Sequence, residues 1–141
     1  MVDPSGALVV QKDKKVNQNV PLPVMFIGSI SIYLMAVPII WVDFFLVQYQ
    51  MIYFSIMGIP KINRNEYVVM DRNHLKGLNW KQKLNCIYCE YANGMIEFAK
   101  AVANQTEIYS CAIKHNLTTK GQEHQGDFYP YEDFLNPVNG K

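Results

Sequence analysis

The chain has 141 residues, about one domain's worth, with 13 basic and 12 acidic side chains and a formal charge of +1. It carries no basic stripe interleaved with aromatics, which argues against a nucleic-acid partner. Its three cysteines cannot all pair within one chain, which argues against a secreted disulfide framework and for a reducing compartment or a metal.

Residues 1–19 are polar, with Lys12, Lys14 and Lys15 around Asp13, and read as a flexible tail facing water. From 20 to 59 the only charged residue is Asp43. As a helix these residues would reach roughly 60 Å, about twice a hydrocarbon core. A hairpin of two spans would need a turn at 41–44, and Trp41-Val-Asp-Phe-Phe45 lacks the Gly, Asn or Pro that a tight turn favours. One long helix is therefore the preferred reading, with a hairpin as the alternative. Its first half, 22–41, would cross the bilayer with a kink at Pro38; its second half, 44–57, would lie at the interface or against another membrane-protein subunit. Asp43 sits either at headgroup level beside Trp41 or deep in the layer, where it must find a donor.

Gly58 and Pro60 end the run, and Lys61 and Arg64 follow as flanking cations. The flanking charges and the free thiols together lean towards a cytoplasmic carboxyl-terminal domain. Tyr67-Val-Val-Met70 is β-branched and aromatic and reads as a lone strand or an extended connector. Asp71 then caps a weakly amphipathic turn with Leu75, Leu78 and Trp80 on one side.

Residues 60–116 form a small Cys/His helical domain in this reading. Its thiols fall into two half-sites, Cys86-x2-Cys89 and Cys111-x3-His115, and thiolates with an imidazole are the donor set that suits structural zinc. Asn85, Asn93 and Glu107 are the nearest polar groups for supporting hydrogen bonds. A shared site sets a geometric condition. Met95, Phe98, Ala99 and Val102 make a helical stripe; if that helix ran unbroken from 90 to 110, the half-sites would stand roughly 30 Å apart. One ion could join them only if the helix were confined to 95–103, between Gly94 and a turn at 104–106. The competing readings are three small buried hydrophobes and a redox-active Cys86–Cys89 pair. His74 and His124 read as surface residues.

Residues 117–141 turn polar and glycine-bearing and read as a disordered tail. Within it, Phe128, Tyr129, Tyr131 and Phe134 stand among three acids. This segment either docks on a partner or packs back on its own domain.

At these residues the chain resembles a family of small, uncharacterised bacterial membrane proteins. The resemblance rests on Asp71-Arg72, Leu78-Asn79, Lys83-Leu84-Asn85-Cys86, Tyr88-Cys89, Tyr91-Ala92-Asn93-Gly94, Thr106-Glu107 and Cys111-Ala112-Ile113-Lys114-His115. It covers about residues 60–115 and departs from the family pattern at Ser110 and Ala112, where that pattern has tryptophan and proline. It implies a membrane location and brings no activity with it.

The expectation is thus a mainly α protein: one long transmembrane helix, a small helical domain and a disordered tail. Its function would be that of a membrane-anchored accessory or scaffolding protein stapled by zinc, or by iron, through Cys86, Cys89, Cys111 and His115. The alternatives are a thiol or iron redox protein and a metal-free subunit of a larger membrane complex, with membrane lipid a partner in every case. No nucleophile, base and orienting acid stand in an arrangement that would suggest hydrolysis, so no catalytic residue is assigned.

Overall fold

The computed structural model describes residues 21–117 and 120–135. The flexible tail expected at 1–19 and the last residues of the aromatic tail, 136–141, lie outside them.

The uncharged run forms a single rod over Leu22–Met57, so the hairpin expected as an alternative is not formed. The rod is built from α1 (Leu22–Leu34), α2 (Ala36–Tyr49), a π-helical turn over Gln50–Phe54 and a last short turn, α3 (Ser55–Met57). Pro21 and Pro23 stand where a helix start tolerates a missing N–H. Gly58 closes the rod in the left-handed conformation at φ 68°, which a residue with a side chain adopts only under strain. The π turn matters because an i to i+5 repeat brings Tyr49 and Phe54 onto one side. Gln50 and Phe54, four apart, are both buried there.

The second long element, α4, runs unbroken over Trp80–Ser110, 31 residues or about 46 Å. It begins at a capping box in which the Asn79 N–H donates to Gln82 Oε1 at 2.9 Å. Asp71 stands at the N-cap position of one 3-10 turn, 72–74, but makes no side-chain cap bond, and α4 starts nine residues after it.

Side-chain pairs between the two helices rise together along both. The Tyr33 ring meets Tyr88 edge-on at 5.7 Å; the Tyr91 hydroxyl reaches Asp43, Tyr49 meets Thr106 and Tyr53 meets Ser110. The helices are therefore parallel. Both bury or half-bury a stripe at alternating steps of three and four: Ala36, Ile39, Asp43, Leu46, Gln50 and Tyr53 on the rod, and Tyr88, Tyr91, Met95, Phe98 and Val102 on α4. That spacing keeps one face of each helix turned to its neighbour over several turns.

Parallel neighbours require a long return, which residues 58–79 provide. They hold no strand: Tyr67 closes a 3-10 turn over Arg64–Glu66, and 68–70 have no regular structure. Gln50 receives the Ile62 N–H at 2.8 Å, Arg64 reaches Asp43, and the Arg72 N–H reaches Glu90 at 3.1 Å. At Gly94 the connector passes so close that a Cβ would stand 2.6 Å from the Tyr67 carbonyl oxygen and 2.9 Å from Val68 Cα. Gly94 is thus in mid-helix, where it allows a backbone crossing; it does not end an element. The core beside it holds Phe54, Ile59, Val68, Met95, Phe98 and Val102.

The described part of the tail, 120–135, carries 3-10 turns over Glu123–Asp127 and Tyr131–Phe134. It folds back on the end of α4 through a parallel bridge between Ile113 and Tyr129, with Lys114 N–H to Tyr129 O and Tyr129 N–H to Ala112 O, both at 2.9 Å.

Candidate functional site

A polar cluster joins three separate pieces of chain at Asp43. Arg64 grips the carboxylate with both arms of its fork, Nε to Oδ1 at 2.9 Å and Nη2 to Oδ2 at 2.6 Å. Tyr91 adds its hydroxyl to Oδ2 at 2.9 Å. The Asp43 and Arg64 side chains are 16% and 34% exposed. A bidentate, charge-assisted pair of this kind fixes direction as well as distance. The hydrogen bond that it donates to Asp43 holds the Arg64 guanidinium more firmly protonated than usual, against a burial effect of opposite sign. Burial, then the bond to Asp43, raises the Tyr91 phenol above its ordinary value. The carboxylate has the donors that a deep position would demand. In the sequence Arg64 shows only as a flanking cation, and Tyr91 has no visible link to it. The signal that could have linked them was the lone acid itself, since a solitary charge in an apolar run needs a counter-charge.

The candidate metal ligands are not brought together. Cys86 and Cys89 lie on the first half of α4, and Cys111 and His115 follow its end. Twenty-two residues of helical rise put Cys89 and Cys111 about 33 Å apart. The helix expected to stop at 103 continues to 110, because Asn104, Gln105 and Thr106 stay in register and Thr106 bonds back to the Val102 carbonyl at 2.9 Å. No single ion can join the four within one chain. Among the described residues no group of three or more His, Cys, Asp or Glu could hold a metal ion. Within one chain the four residues do not form the structural zinc or iron centre expected of them. The thiols are not small core groups either: Cys86 is half-buried, and Cys89 and Cys111 are exposed.

The supporting polar residues have other work. Tyr33 donates its hydroxyl to Asn85 Oδ1. Asn93 donates to the Cys89 carbonyl at 2.8 Å. Glu107 binds the returning tail: Gln125 Nε2 donates to Oε1 at 2.8 Å, and His124 Nε2 lies 2.6 Å from Oε2. Gln125 also takes the His115 N–H at 3.2 Å. His124 is thus enclosed and paired, unlike the surface residue expected, whereas His74 and His115 are exposed. Of the four tail aromatics, Phe128 is buried and packs edge-on against His124, and Tyr129, Tyr131 and Phe134 stay exposed.

No family model, curated protein or solved structure matches the chain.

Proposed function

We propose that the protein is a membrane-anchored accessory subunit, metal-free in its own domain, whose rod inserts in the bilayer and whose second helix forms a platform for other membrane-protein subunits. One observation carries this reading: α1 has no charged residue and its described side chains are exposed around the helix, touching α4 only at Tyr33, with Phe26 73% and Leu34 67% exposed. A helix hydrophobic all round belongs in a protein interior or in lipid. Residues 22–41 rise about 30 Å, one hydrocarbon thickness. Asp43 with Arg64 and Tyr91 follows two residues later, where a charged cluster suits the boundary. The first turns of α4 lean on the anchor through Tyr33 and Asn85. The resemblance to small bacterial membrane proteins points the same way.

The test uses the protein's own thiols. Membranes carrying the chain are washed with alkaline carbonate, then labelled from one side with an impermeant maleimide. The reading expects full retention and labelling of Cys89 and Cys111 from one side only, with the cytoplasmic side the expected one. Release into the wash would remove the anchor, and labelling of both thiols only after detergent would reverse the expected orientation.

A further inference from the structure

On α4, one residue before Tyr91, the Glu90 side chain is only 5% exposed. Its Oε1 takes the Arg72 backbone N–H at 3.1 Å and lies 3.2 Å from Arg72 Nε. Its Oε2 is closed to solvent and has no hydrogen-bond partner among the described residues. A buried carboxylate oxygen without a donor is costly, so an N–H or O–H belongs opposite it.

Glu90 lines an open cleft of about 390 Å³ between the connector and α4, with Tyr67, Asp71, Arg72, Asn93 and Glu97 around it. Three carboxylates against one guanidinium leave the lining at a formal charge of −2. Asn93 spends an amide hydrogen on the Cys89 carbonyl, which leaves its own Oδ1 as a further acceptor. The cleft is therefore rich in acceptors and short of donors. The carboxylates do not converge as a cage for a bare ion, since no three acids among the described residues are close enough. The space instead suits an organic cation that brings several N–H donors. Arg72, 58% exposed along its side chain, is the group free to yield as that cation approaches Oε2.

We propose that this cleft binds a primary ammonium group, carried by a small free amine or by the ethanolamine headgroup of a lipid. The lipid source rests on the membrane reading, because Tyr91 ties this level of α4 to Asp43 beside the end of the anchor. The amine chemistry does not.

The full chain in detergent is titrated with ethanolamine and, separately, with tetramethylammonium, which has the charge but no N–H. Binding is read from the backbone amide resonances of Asn93 and Gly94. Saturable shifts are expected with ethanolamine alone, weakened at least about tenfold in Glu90→Gln, as loss of a charge-assisted bond implies. Glu90→Gln also removes the Arg72 ion pair and could loosen the connector. Glu97→Gln, which has no such contact, is therefore a second variant, expected to weaken binding several-fold with helicity unchanged. Glu132→Gln in the tail should bind as the parent does. In nanodiscs, shifts at the same amides with phosphatidylethanolamine but not phosphatidylcholine assign the lipid source; shifts only on adding free ethanolamine assign a soluble amine. Either result upholds ammonium binding. No saturable shift, equal response to tetramethylammonium, or both cleft variants binding like the parent would overturn it, while anchoring could still pass its own test.

Discussion

The Tyr91 hydroxyl donates to Asp43 Oδ2 at 2.9 Å across 48 residues of sequence, and Arg64 closes on the same carboxylate from the connector. Three pieces of chain thus share one anion. Removing Arg64 leaves a partly buried carboxylate with one neutral donor, which costs more than the pair's net worth. Because Arg64 keeps contact with water, the loss should fall below the range for fully buried pairs. Arg64→Ala is expected to destabilise the helical pair by about 2 kcal/mol and Tyr91→Phe by about 1 kcal/mol. Denaturant unfolding in detergent, followed by helicity, checks both. Arg64→Ala combined with Asp43→Asn should recover part of the loss.

Alkaline pH should open the same cluster. The Tyr91 phenol is raised in the folded state by burial and by the bond to Asp43. A raised folded value means that its contribution is fully present below about pH 10, the ordinary tyrosine value, and is lost as pH rises through the folded value. Phenolate absorbance should show a step above the ordinary tyrosine value, and Tyr91→Phe should abolish that late step. A titration curve unchanged in Tyr91→Phe would contradict this assignment.

Gly94→Ala sets two known effects against each other. Alanine gains about 1 kcal/mol of helix propensity over glycine. The added Cβ, however, meets connector backbone at 2.6 and 2.9 Å, and backbone cannot rotate away as a side chain can. Overpacking of that kind costs about 1–3 kcal/mol or more. A net loss of stability is expected, visible as a lower midpoint in thermal unfolding. A neutral or stabilising result would mean that the connector does not cross at Gly94.

The rod was legible in the sequence because charge is absent over a long interval, and no partner is needed to see that. The stripe of Met95, Phe98 and Val102 was legible for a similar reason, as spacing is local. Gly94 and residues 104–106 misled, because glycine and asparagine mark an element's end and a tertiary crossing with the same letters. What Gly94 does is set by Tyr67 and Val68, which no helical period can reveal. Likewise Cys86-x2-Cys89 and Cys111-x3-His115 look like halves of one site only while the length of the helix between them is unknown.

Strong chelator should leave the thermal midpoint unchanged, and Cys111→Ser should carry the same metal content as the parent. Elemental analysis of detergent-purified protein checks this. Stoichiometric zinc lost on replacing Cys111 would require a second copy of the chain to complete the ligand set.

Glu107→Ala should free the tail. Both Gln125 and His124 close on that carboxylate, and Phe128 is buried beside them. Limited proteolysis should cut the variant in the tail several times faster than the parent, while α4 keeps its helicity. Equal rates would show that Phe128 and the Ile113–Tyr129 bridge hold the segment unaided.

The parallel course of the two long helices also dictates an order of events at the ribosome. Asp43 emerges 21 residues ahead of its cation and 48 ahead of its phenol. The apolar rod is therefore synthesised while its acid is still without a counter-ion. Closure of the clasp must come afterwards, once the chain has doubled back past the full height of the pair.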